Sequence, residues 1–201
     1  MLEGGAYAQA VRRDELAALG IQLPVLPTIV LGPLPGRPDW AARLARIGLD
    51  VTASGAAEDS AATLAAARAA VPHLPLKART SDAGALDGMA ALIAETAGPV
   101  PPGLYRLGPG DELVAAVDGR SREVEEVMDV ARRTLAQARE GTASALWAAA
   151  TAGLDRHPGD VVGAKLAVLV EGVRQARLWL AKEQFDRDDP GPPWGPRGYI
   201  S

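Results

Sequence analysis

The chain has 201 residues, enough for one domain with a substantial core and too few for two comfortable ones. Apolar residues make up 48% and aromatics only 4%, so the interior has to be built mostly from aliphatic side chains and alanine. A formal net charge of -4 gives no concentrated positive field for nucleic acid, and the absence of cysteine excludes disulfides, thiolate nucleophiles and sulfur-ligated zinc sites.

Residues 11–19 (VRRDELAAL) have helical composition and stop at Gly20, after which Pro24 and Pro27 forbid continued helix. Thr28-Ile29-Val30-Leu31, rich in β-branched residues and closed by Gly32-Pro33-Leu34-Pro35-Gly36, predicts a buried strand running into a turn. Asp39 is placed to cap a helix through Ile47 that Gly48 ends, and Leu49 to Ala53 is the next strand. From Asp59 or Ser60 to Ala70 the composition is strongly helical, with Leu64 and Val71 one heptad apart on a face otherwise covered by alanine.

Leu74 to Arg79 is a weaker strand interrupted by Pro75. The spacing of Leu86, Met89, Ala90 and Ile93 then predicts an amphipathic helix over 86–97. Residues 98–111 hold four prolines and four glycines around Leu104-Tyr105-Arg106-Leu107, which is either a short strand between loops or part of a long turn. Leu113 to Val117 predicts a strand, and Ser121 with the acidic stretch Glu123 to Glu126 opens a helix reaching Arg139. Leu146 to Ala150 is the last strand. The longest helix runs from Asp160 or Val161 to Lys182, with Leu166, Leu169, Val170, Val173 and Ala176 on one stripe.

Strands alternating with longer helices call for a parallel sheet covered by helices. The count is five strands with a sixth in doubt, and a closed eightfold barrel usually needs about 250 residues. The expected architecture is therefore α/β, a shortened or incomplete TIM-type (β/α) barrel with parallel strands, or an open sheet of five or six strands. Residues 1–185 form the single domain, and 186–201 (DRDDPGPPWGPRGYIS) an extended Pro/Gly-rich tail. Trp194 and Tyr199 in that tail either dock on a partner or fold back on the domain. Met1 to Ala10 has neither a basic region nor an apolar run, and no stretch approaches the roughly 20 apolar residues of a membrane span, so a cytoplasmic location and no membrane partner are expected.

Polar residues at the strand-to-helix edge, where barrel and open-sheet enzymes place their chemistry, are the candidate pocket. Asp118, Arg120 and Ser121 follow one strand, and Thr151 and Asp155 follow the last. The competing reading is that Ser121 caps the next helix while Asp118 and Arg120 pair with each other or face water. No catalytic residue can be assigned among them. His73 and His157 lie in loops whose spacing specifies no metal, and Gly108-Pro109-Gly110 lacks the Lys-Ser/Thr ending of a phosphate loop. Trp147 reads as core.

Three separated stretches, in order, resemble the carboxy-terminal catalytic barrel of cobalamin-independent methionine synthase. Leu23 to Thr28 with Leu31-Gly32-Pro33-Leu34-Pro35 is similar to that family's entry strand. Gly48-Leu49-Asp50-Val51 with Ser54-Gly55 resembles its second strand. Val117-Asp118, Arg120-Ser121 and Glu123-Val124-Glu125, then Leu146-Trp147 and Gly153-Leu154, resemble its last two strands, and Lys165-Leu166, Leu169-Val170 and Arg174 to Arg177 its closing helix.

The departures matter as much as the matches. The substrate-holding Ser of the family is replaced here by Pro33, its His-Gly-Glu element by Ser54-Gly55-Ala56, and its Asp-Cys-Gly-Leu, which carries a zinc-ligating Cys, by Thr151-Ala152-Gly153-Leu154. The resemblance thus implies a methionine synthase-like barrel without the zinc and homocysteine site. Thiol methylation by that mechanism depends on zinc lowering the thiol pKa. The expected role is a non-catalytic or repurposed binding or partner subunit, needing no cofactor, that pairs with itself or with a paralogous barrel and takes a small-molecule ligand. The alternative is a zinc-independent methyltransferase or a folate-binding enzyme acting on a small molecule.

Overall fold

The computed structural model describes residues 14–36, 39–95, 100–101, 103–107, 112–140 and 146–188. Residues 14–18 are helical (α1), and the chain then alternates strand and helix: β1 (Thr28–Val30), α2 (Trp40–Ile47), β2 (Thr52–Ala53), α3 (Ala61–Ala70) and β3 (Leu76–Ala78). A 3-10 turn at Ala83–Leu86 leads to β4 (Leu92–Ala94) and β5 (Tyr105–Arg106). After these come β6 (Glu112–Val117), α4 (Val127–Glu140), β7 (Leu146–Ala150), a 3-10 turn at Leu154–Arg156, and α5 (Gly159–Asp188).

All described strand pairs are parallel, in two sheets ordered β1-β7-β6 and β2-β3-β4-β5. The two sheets meet at β1 and β2, where the Val51 N–H donates to the Thr28 carbonyl oxygen at 3.3 Å. Side-chain alternation along the strands sorts the core into layers. Ile29, Val51, Ile93, Tyr105, Trp147 and Ala149, drawn from both sheets, form one buried cluster closed by Leu16 and Ile21 from the segment before β1. The opposite faces of β1, β6 and β7 pack on α2, α4 and α5, and those of β3 and β4 on α3.

Local chemistry explains most boundaries. Ser60 and Thr63 form a reciprocal capping box on α3, an arrangement worth about 1 kcal/mol, and Leu64 and Ala67 are its buried residues. Gly48 ends α2 in the left-handed conformation, its N–H bonded back into the last turn. Asp39 precedes α2 but its side chain makes no capping bond. Of the expected stripe of α5, Leu166, Leu169, Val173 and Ala176 are fully buried together with Val162, and Val170 is partly buried against the same core. Gly172 on α5 allows the close approach of α4, since a Cβ there would lie 2.6 Å from Val130 Cγ1. At the amino end of β1, Arg177 donates to the carbonyls of Val25 and Leu26 and pairs with Asp50, which also receives the Thr28 N–H and hydroxyl.

Several expectations change. The amphipathic helix over 86–97 is absent from its described part: Leu86 ends a 3-10 turn and Leu92–Ala94 is strand β4. Leu86 packs in the layer under α3 while Ile93 faces the cluster shared by both sheets, so the two never share a helix face. A short apolar run between turn residues is read equally well as a buried strand. The doubtful Leu104–Leu107 island contains β5, paired to β4. α4 begins at Val127 rather than near Ser121, and α5 runs on through Asp188, so residues 186–188 are helical. The rest of the tail, Trp194 and Tyr199 included, lies outside the described residues. No helix among the described residues is long and apolar enough to cross a membrane.

Candidate functional site

The carboxyl ends of β6 and β7 bring Asp118, Arg120 and Thr151 to one open depression of about 390 Å³, completed by Ala115, Arg133 and Ala152. The two loops are stitched together. The Thr151 hydroxyl accepts the Gly119 N–H at 2.8 Å and reaches Asp118 Oδ1 at 3.5 Å. Asp118 Oδ1 also accepts the Arg120 N–H at 2.9 Å, so Asp118 meets Arg120 through backbone and no pair with the guanidinium forms. Gly119 has no substitute here, because a Cβ on it would overlap the Thr151 carbonyl oxygen. His157 Nε2–H donates to the Gly119 carbonyl at 3.0 Å, giving this loop histidine a structural task.

Beneath the loop lies the strongest electrostatic feature of the site. Lys165, fully buried on α5, donates to the Asp118 carbonyl at 3.1 Å and to Glu125 Oε2 at 2.9 Å, while Glu125 Oε1 accepts the Asp118 N–H at 2.8 Å. One ion pair therefore grips both backbone polar groups of Asp118. Among charge-assisted bonds, those removed from water hold geometry best, which fixes the mouth of the depression before any ligand arrives.

Ser121 lies apart, lining a second open recess, rich in acids, with Glu123, Glu125, Glu126, Asp129, Arg132 and Arg133. Its hydroxyl accepts the Glu123 N–H at 3.2 Å and caps a bend rather than α4, which starts six residues later. Asp155 is exposed on the 3-10 turn after β7 and does not line the depression.

Lys165, Glu125 and Arg133 escape a reading of loops alone. Lys165 had a signal: it occupies the stripe of Val162, Leu166 and Leu169, and a lysine on a buried helix face has to have a partner. A second buried cation, Lys77 on β3, pairs with Glu95 just beyond β4. Burial pushes the Lys77 ammonium below the usual lysine range, and the Glu95 carboxylate works against that shift. Among the described residues no group of His, Cys, Asp and Glu is arranged to hold a metal ion. No family model, curated protein or solved structure matches the chain.

Proposed function

We propose that this protein is a binding subunit on a shortened methionine synthase-like (β/α) barrel, taking a small ligand at the carboxyl ends of its strands and a second barrel chain along β6. The strand order supports the barrel reading: joined at β1 and β2, the two sheets run β6-β7-β1-β2-β3-β4-β5, which is chain order wrapped round with one seam between β5 and β6. The ligand would be a small molecule of the folate type, held over Asp118, Arg120 and Thr151.

One observation carries the partner half of the proposal. On the face that β7 fills with fully buried Trp147 and Ala149, the register partners on β6 are Leu113, 40% exposed, and the exposed Ala115. An apolar inner face left uncovered beside a strand edge is what a second copy or a paralogous barrel would cover. Light scattering should give at least the dimer mass for the wild type, and the monomer mass for Leu113→Glu at unchanged thermal stability. A monomeric wild type that captures no co-purified barrel chain, or a Leu113→Glu variant that still associates, would contradict the proposal.

A further inference from the structure

We infer that ligand binding and association are linked in this protein: the depression at the carboxyl ends of β6 and β7 lacks a wall on its β6 side, and a second copy of the chain completes it. The inference rests on the proposed function and joins its two halves. Ala115 carries the link. It lines the depression, and it also stands beside Leu113 on the exposed inner face of β6 that a partner would cover.

The wall is missing for a topological reason. β6 pairs with β7 alone among the described strands, so past Ala115 no neighbouring strand rises beside the depression. Thr151 and Ala152 bound it on the β7 side, and Asp118 and Arg120 in the loop after β6. The remaining border is Arg133 of α4, held by its donation to the Ala116 carbonyl at 3.1 Å. Arg133 is exposed, so it edges the gap without closing it. A ligand in the depression faces water across that gap, and a chain docked along β6 removes the water. Polar contacts strengthen when water is excluded, so the associated protein holds the ligand more tightly. By reciprocity the ligand then favours association by the same factor.

The charges on this side of the molecule argue for a second copy as the occupant. Arg133 also borders the neighbouring recess, where Glu123 and Glu126 are exposed and their carboxylates make no ion pair or hydrogen bond among the described residues. The exposed Arg120 guanidinium likewise has no partner among them. Unpaired carboxylates and unpaired cations thus lie in two recesses that meet at Arg133. A two-fold axis presents this surface to itself in reverse, setting each copy's carboxylates toward the other's arginines and closing the apolar face of Leu113 and Ala115 between them.

Sedimentation velocity over a range of protein concentrations, with and without millimolar 5-methyltetrahydrofolate, tests the linkage, and calorimetric titration gives the ligand affinity of each form. The ligand should lower the dissociation constant of the wild-type dimer about fivefold or more, the lower end of common coupling strengths. Leu113→Glu and, separately, Glu123→Lys should weaken association. Each should also bind the ligand about fivefold or more weakly than the wild-type dimer, although neither residue lines the depression. Two variants in different elements, each expected to unfold at the wild-type temperature, keep a folding defect in one from passing as lost association. A dimer whose dissociation constant is the same with and without ligand, or a monomeric variant that binds ligand as tightly as the wild type, overturns the inference and leaves the proposed function standing. A wild type that stays monomeric, or that binds no ligand, overturns both.

Discussion

Lys165→Met should lower the unfolding free energy by about 3–5 kcal/mol, the usual cost of stripping one partner from a buried ion pair. Glu125 is only 15% exposed at its side chain, so the variant leaves a carboxylate largely out of water with just the Asp118 N–H to satisfy it. The Asp118 carbonyl loses its donor at the same time. The double variant Lys165→Met, Glu125→Leu removes both charges and should recover most of the loss, because replacing a whole buried pair with apolar groups is often neutral. Urea unfolding of the three proteins checks this. A single variant within about 1 kcal/mol of wild type, inside the range of an exposed pair, would mean the Lys165–Glu125 pair is solvated and does not hold the loop.

Trp147→Ala should cost about 3–5 kcal/mol, as expected for emptying a large buried aromatic site. Its effect should also be global. Trp147 belongs to the first sheet, but its ring lies 6.1 Å from that of Tyr105 in the second, and Ile93 and Val51 belong to the same cluster. If the two sheets share one interior, the variant unfolds in a single cooperative transition shifted to lower urea, seen alike by tyrosine fluorescence and far-ultraviolet dichroism. Separate transitions, with β2 to β5 surviving at the wild-type midpoint, would show that the sheets have independent cores.

These two residues show what the sequence does and does not disclose. Strands such as Thr28–Val30 and Leu146–Ala150 are legible because short β-branched or apolar runs sit between turn residues, and α5 because its stripe recurs at helical spacing. β4 is missed because Leu86 and Ile93 match a helical period while facing different layers. The start of α4 is misplaced because acidic residues before a helix look like its first turn, whereas Glu125 is drawn under the loop by Lys165. At the site, Asp118, Arg120 and Thr151 are found from their place at strand ends, a property of topology. Lys165 is legible as buried from its place on the α5 stripe, but its partners are not, since the Asp118 carbonyl and Glu125 reach it from a distant part of the chain.

The methionine synthase-like reading is a proposal; the wrapped strand order and the polar groups at the carboxyl ends of the strands are what a barrel of that kind would have. Its bearing on function is a question of where ligands bind. The most direct measurement is an amide chemical-shift titration with 5-methyltetrahydrofolate, whose glutamate tail carries two carboxylates. Shifts centred on Asp118, Gly119, Arg120 and Thr151 are expected. No shifts at millimolar ligand, or shifts centred on Leu26 and Asp50 at the amino ends of the strands, would contradict the account.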